Sequence, residues 1–210
     1  MIALYAVTWH SDTVVPHDDG LALLADGDLA MVVGPAPATT SREDALAHAR
    51  IVEQIASAAD VLPIRYGTTA HDTDEAHALL REHGSAWAAR LQKVEGCAEL
   101  AIRAALPEAD EGRATSGAEH MGRLVSRSRM LDATEAELGE LLTGRCRVMR
   151  RLAGHDELKL SCLVERESVE RVRLLLEEWS ADRRDLAVTV TGPWAPYSFA
   201  ADGEDSGVAL

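Results

Sequence analysis

Apolar and polar positions follow two periods along the chain, and the places where one gives way to the other mark its elements. Ile2 to Thr8, a short apolar run containing Tyr5 and Val7, reads as a first strand that ends at the polar stretch Ser11 to Gly20. Leu21 to Ala25 and Leu29 to Val33 flank Asp26-Gly27-Asp28, whose Asp-Gly supplies the positive φ of a tight turn and predicts a hairpin. Gly34-Pro-Ala-Pro37 ends that pairing. With Ser41 as N-cap, Arg42 to Asp60 places Ala45, Ala49, Val52, Ala56 and Ala59 at spacings of four and three, widened by Ile51 and Ile55, which is one face of a helix. Val61 to Tyr66 reads as a strand that Pro63 confines to an edge or a strand start, because proline cannot donate to a ladder. A second amphipathic helix runs from about Asp74 to Val94 through Ala76, Leu79, Leu80, Trp87 and Leu91, with Gly84 as a point of bending or division.

In the second half the period of two returns three times. Leu100, Ile102 and Ala104 form one set, Leu158, Leu160, Cys162 and Val164 another, and Leu186, Val188 and Val190 a third, each predicting a strand with one buried face. Between them the pattern predicts helices over about Glu119 to Met130, Glu135 to Ala153 and Ser168 to Ser180, with Asp132 and Glu135 spaced as a capping box. Pro107 to Gly117 reads as a mobile loop and 201–210 as a flexible tail. The fold class expected is α+β in two domains: an N-terminal α/β domain over 1–94 and, over 95–200, a C-terminal ferredoxin-like domain with additional helices.

Composition narrows the functions open to such a chain. Lys and Arg total 21 against 35 Asp and Glu, a formal charge of −14, which argues against a polyanionic partner such as nucleic acid. Only 4% of the residues are aromatic, so the cores must be built from Leu, Val, Ile and Ala, and a base-stacking surface is not expected. Cys97, Cys146 and Cys162 stand far apart without a CxxC pair, which fits reduced thiols in the cytosol better than a disulfide framework. No apolar run approaches the ~18 residues of a membrane span, and the opening residues lack a signal sequence's basic start and long apolar core. The expectation is a soluble, cytoplasmic protein with no membrane partner.

Candidate chemistry is sparse. His71-Asp-Thr-Asp-Glu-Ala-His77 concentrates metal-ligand side chains, but on a helix His71 and His77 face opposite sides, and the acidic residues suit a helix start. No nucleophile elbow, phosphate loop or dinucleotide fingerprint occurs, so no catalytic residue, cofactor or metal is assigned. His48 falls inside the apolar face of the first helix, where a buried imidazole needs a hydrogen-bond partner, and it is expected to tie that helix to the following strand. Arg65 is expected to form an internal salt bridge, or to meet an anion or a partner's carboxylate. The most unusual string is Thr191-Gly-Pro-Trp-Ala-Pro-Tyr-Ser-Phe199, which gathers three of the chain's eight aromatic residues between stiffening prolines. An extended arm is expected there, covering the second domain's core, presenting a docking surface, or both.

The string Gly192, Pro193, Trp194, Ala195, Pro196, Tyr197, Ser198, Phe199, together with Leu62-Pro63-Ile-Arg65-Tyr-Gly67-Thr68, resembles the gas vesicle GvpL/GvpF family. Ala195 departs from a proline of that pattern and Tyr66 from a frequent phenylalanine. The helix carrying His48, some fourteen residues before Leu62, and the opening strand around Tyr5 are similar too. The resemblance covers about residues 1–200. It implies a non-enzymatic accessory protein of gas vesicle assembly, located in the cytoplasm and at the gas vesicle, that contacts the small hydrophobic shell protein and other gas vesicle accessory proteins. Gly192, Pro193, Trp194, Pro196, Tyr197, Phe199, Leu62, Pro63, Arg65, Gly67 and His48 are its partner-binding or structural residues under that reading. Two other readings stay open. A metal-dependent small-molecule enzyme would need a deep polar pocket uniting histidines with carboxylates, and a minor structural component of the shell would need a broad exposed apolar face.

Overall fold

A computed structural model of the chain describes residues 1–12, 20–37, 41–107, 117–154, 157–183 and 185–200. Most of the segment expected to be a mobile loop, 108–116, and the tail 201–210 lie outside the described residues. The protein mixes helices with antiparallel sheet in two compact units, one made of Met1–Ala98 with the chain from Trp194 onward, the other of Glu99–Pro193.

In the first unit, β1 (Ile2–Trp9) pairs antiparallel with β3 (Leu29–Pro35) on one side, and β3 with β2 (Ala22–Asp26). Asp26 stands opposite Leu29, and Gly27, at φ +59°, makes the turn that the Asp-Gly pair predicts. On its other side β1 pairs with β4 (Val61–Pro63) and β5 (Thr69–Ala70). Pro63 therefore closes a short edge strand, and the strand stops there instead of running to Tyr66. At Gly34 the backbone lies close to its neighbours: a Cβ would meet the Leu21 side chain at 2.8 Å and the Tyr5 ring at 3.2 Å, so both would have to give way.

Two helices cover this sheet. α1 (Arg42–Ala58) starts in a capping box, Ser41 accepting from the Asp44 N–H while the Asp44 carboxylate accepts from the Ser41 N–H. α2 (Thr73–Val94) is capped by Asp72, which accepts from the Glu75 N–H at 3.0 Å, so the His71–Glu75 cluster builds a helix start. Gly84 does not divide α2, which runs unbroken from Thr73 to Val94; a Cβ there would meet Leu29 in ordinary contact at 3.8 Å. Val32 packs in the cluster beneath α1 while Leu29 lies against α2; being of opposite parity in one strand, they place the two helices on opposite faces. Continuous burial from Ala3 to Thr8 follows from that sandwich.

The second unit has strand order β7-β8-β6-β9, from β6 (Cys97–Ala105), β7 (Val148–Leu152), β8 (Glu157–Glu165) and β9 (Ala187–Trp194). α3 (Gly117–Leu142) connects β6 to β7, and α4 (Val169–Ala181) connects β8 to β9. Three expectations are corrected here. The two helices expected over 119–153 are one helix followed by a strand, because Gly144, at φ +71°, ends the helical path and 148–152 pairs antiparallel with β8. Asp132 and Glu135 cap nothing, since the helix runs through them; both carboxylates instead hold the Arg151 guanidinium, at 2.9 and 2.6 Å. The alternation in β9 buries Leu186 just before the strand, but Val188 and Val190 are only partly covered, as suits the edge of a sheet. Leu131, Thr134, Leu138 and Leu142 form the buried stripe of α3, whereas Met121, Leu124 and Val125 in its first half and Met130 at its middle are exposed.

Candidate functional site

The two unusual strings of the sequence meet on α1. His48, 6% exposed, reaches the carbonyl of Ile64 through Nε2 at 2.8 Å. A carbonyl only accepts, so Nε2 carries the proton and Nδ1 is left with a lone pair. The ring stacks on Tyr5, centroids 4.7 Å apart, and meets the edge of Tyr66 at 5.7 Å. Burial lowers the pKa of His48 against the weaker upward pull of the Ile64 bond, which keeps the imidazole neutral. Beyond Ile64, whose own N–H donates to the Tyr5 carbonyl, the Arg65 carbonyl accepts from the Thr68 N–H and Gly67, at φ +90°, turns the chain. Leu62 and Pro63 are buried in β4. Arg65 is exposed and, among the described residues, makes no ion pair; the expected internal salt bridge fails because its side chain leaves a strand that has already ended.

One turn further along α1, Glu53 holds the other string. Its carboxylate accepts the Ala195 N–H at 3.1 and 3.2 Å. Ala195 is 1% exposed in the cluster of Tyr5, Val52, Ile55 and Val61, and Tyr197 packs against the same cluster. Burial, with the Glu53 charge second, pushes the Tyr197 hydroxyl above the ordinary phenol range. Pro196 and Phe199 are buried, and α5 (Tyr197–Ala200) packs on α2 and β4. The expected extended arm over the second domain is thus corrected twice. From Trp194 onward the chain belongs to the first unit, because Glu53 and the open end of the α1 cluster receive it, and it closes in a helical turn instead of staying extended. Gly192, at φ +115°, and the exposed Pro193 belong to the second unit, where the Gly192 carbonyl accepts from Arg173. Trp194 itself is 46% exposed.

A cavity of about 350 Å3 opens beside His48, lined by Tyr5, Pro35, Pro37, Asp44, Tyr66 and Gly67 among others. The Tyr66 hydroxyl is buried and has no hydrogen-bond partner among the described residues. Such a group costs about 1–3 kcal/mol while it stays unsatisfied. Sequence reasoning missed Tyr5, Glu53 and Tyr66 as members of this site. The available signal was a lone glutamate beside the apolar face of α1 and a tyrosine after the edge strand.

The second unit brings together two of the cysteines that stand far apart in sequence. Cys146 lies beside buried Cys162, whose hydrogen bond pulls the Cys146 thiol down to about 7 while Cys162 is pushed up. β7 and β8 pair Met149 with Cys162, which the spacing of cysteines alone does not reveal.

Fold and site together define a two-unit protein of helices and antiparallel sheet whose two most distinctive strings are clamped to one helix. The chain belongs to the gas vesicle synthesis protein GvpL/GvpF family, whose model matches residues 2–145 and 125–201. It is 26% identical to gas vesicle protein L of Streptomyces sp. (strain CB03234), over 96% of this chain and 93% of that one. Gas vesicle protein F of the same strain is 24% identical over 84% of this chain and 86% of its own length. The fold is that of the crystal structures of GvpF from Anabaena sp. PCC7120 (TM-score 0.69, 98% of each chain) and Microcystis aeruginosa (TM-score 0.72, 95% and 98%), at 15% identity to both. Membership supports a role in gas vesicle assembly, and among the described residues no helix is long and apolar enough to cross a membrane.

Proposed function

We propose that this protein is a non-enzymatic accessory factor that binds the small hydrophobic shell protein of the gas vesicle, in the cytoplasm, and delivers it to the growing shell. The observation that carries this reading is the use made of the two strings. Glu53 and the core cluster spend Ala195, Pro196, Tyr197 and Phe199 on packing, yet Trp194 in their midst stays 46% exposed, a large apolar side chain held in place by its buried neighbours. Tryptophan anchored on a rigid support is the kind of residue that dominates binding energy at interfaces. The formal charge of −14 would keep a complex with an apolar partner dispersed. On this reading the two units are separate domains, and the second is ferredoxin-like; the strand order β7-β8-β6-β9, with one helix between the first and second strands and one between the third and fourth, supports that class.

Pull-down of the purified shell protein by the full chain tests the reading. Retention by the wild-type chain, much weakened in Trp194→Ala, is expected. Failure of the wild-type chain to retain the shell protein would remove the proposal.

A further inference from the structure

We propose that Cys146 and Cys162 form an oxidation site in the second unit, where hydrogen peroxide converts the two thiols into a reversible disulfide. The inference goes beyond the docking reading and does not depend on it. Three observations meet at this pair. The two sulfurs, carried by different elements, already stand in hydrogen-bond contact, so no distant segment has to be brought in. The pair is also asymmetric. Cys162 is 0% exposed within β8, whereas Cys146 is half-buried between α3 and β7 and belongs to the lining of a cavity of about 530 Å3. Finally, that cavity is walled by Arg145, Arg147 and Arg171 against Glu165 and Glu178, so in a chain of net charge −14 it is a place that does not oppose a thiolate.

The Cys146 sulfur lies 3.6 Å from the Leu142 carbonyl, to which its S–H donates, and once ionised it accepts from the Cys162 S–H. A disulfide needs the sulfurs at about 2 Å, closer than a hydrogen bond holds them. Cys162 is fixed in the β8 ladder opposite Met149, so the closing movement falls to Cys146. That residue follows the Gly144 turn and precedes Val148, where β7 begins, and its own N–H reaches the Leu142 carbonyl only at 3.3 Å. The bond would pin the junction of α3 and β7 to β8.

The chemistry balances with one peroxide. The Cys146 thiolate attacks one peroxide oxygen, the O–O bond breaks, and the departing hydroxide takes up the proton that Cys146 released and leaves as water. Cys162 sulfur then attacks the sulfenic sulfur of Cys146, and its proton leaves with the hydroxyl as a second water. The thiol pair loses two electrons and the peroxide gains them. Cys162 is held as a thiol while it donates to the Cys146 thiolate; oxidation of Cys146 removes that charge, and with it the leading reason for the low acidity of Cys162.

The test treats the full-length chain with one equivalent of hydrogen peroxide at about pH 7, caps the remaining thiols with N-ethylmaleimide in denaturant, and maps unreduced tryptic peptides by mass spectrometry. Expected are an intact chain lighter by two hydrogen atoms, a peptide pair joined through Cys146 and Cys162, a capped Cys97, and three capped thiols after dithiothreitol. Cys146→Ser is expected to consume peroxide about tenfold more slowly, because a thiol of pKa about 7 is half ionised at neutral pH and an ordinary one only a few per cent. Cys162→Ser is expected to stop Cys146 at a sulfenic acid that dimedone traps. Three unreacted thiols, a bond through Cys97, a wild-type Cys146 that stops at the sulfenic acid, or an unchanged rate in Cys146→Ser would each overturn the inference. These readings come from the wild-type chain and Cys146→Ser, so they decide the matter even where loss of the buried Cys162 thiol unfolds the second variant.

Discussion

Burial sets His48 apart from an ordinary surface histidine, and the consequence is a slope of stability against pH. Its folded pKa lies below the unfolded value of 6.5, so as pH falls through that value the unfolded chain takes up protons more readily than the folded one. The contribution is complete above about 6.5 and is lost below it. Melting temperature followed from about pH 7.5 to about 5 should decline less steeply in His48→Gln, which keeps a donor for Ile64 but does not titrate; parallel curves would contradict the assignment. At the same scale, the partly exposed Cys146 thiol, pulled to about 7, should be alkylated by iodoacetamide well before buried Cys97 and Cys162. Peptide mapping after brief labelling checks this, and equal labelling of all three would refute it. His48 was legible in the sequence because the 3.6-residue period places it on the apolar face. Glu53 was not, because its partner Ala195 is 142 residues away and no local pattern connects them.

Among the elements, the string from Gly192 to Phe199 is where the sequence and the structure diverge most usefully. Proline content and aromatic residues announced something unusual, but composition cannot say which unit receives it; the open end of the α1 cluster does. Phe199, 9% exposed, and Trp194, 46% exposed, should therefore behave oppositely. Phe199→Ala is expected to cost about 3–5 kcal/mol, and Trp194→Ala no more than about 0.5 kcal/mol, as for most surface changes. Thermal unfolding by circular dichroism measures both, and a large loss in Trp194→Ala would return that ring to the core and weaken its docking role. β7 was misread for a related reason. Val148 to Leu152 continues a helical-looking stripe from α3, and only the turn at Gly144 and pairing with β8 decide for a strand. The strands β1, β2, β3, β6 and β8 and the helices α1, α2 and α4 were legible because each carries a clean period, whereas β4 proved shorter than its apolar run and the two-residue β5 is too short to carry a period.

For the whole molecule, the division into Met1–Ala98 with the chain from Trp194 onward, and Glu99–Pro193, carries its own expectation. The first unit draws Ala195, Phe199 and Ala200 into its core from beyond the second, so a fragment ending at Ala98 should be far less stable than the same fragment with residues 194–200 appended by a short linker. Denaturant unfolding of the two fragments tests this, and equal midpoints would show that the returning string is dispensable. The central claim, that an acidic two-unit protein of the GvpL/GvpF family shields the hydrophobic shell protein through its first unit, is tested most directly by light scattering. Denatured shell protein is diluted into buffer with the wild-type chain, with Trp194→Ala, or with neither. The account predicts suppressed scattering and a soluble complex with the wild-type chain, and much weaker suppression with the variant; scattering that rises as fast with the wild-type chain as in plain buffer would contradict it.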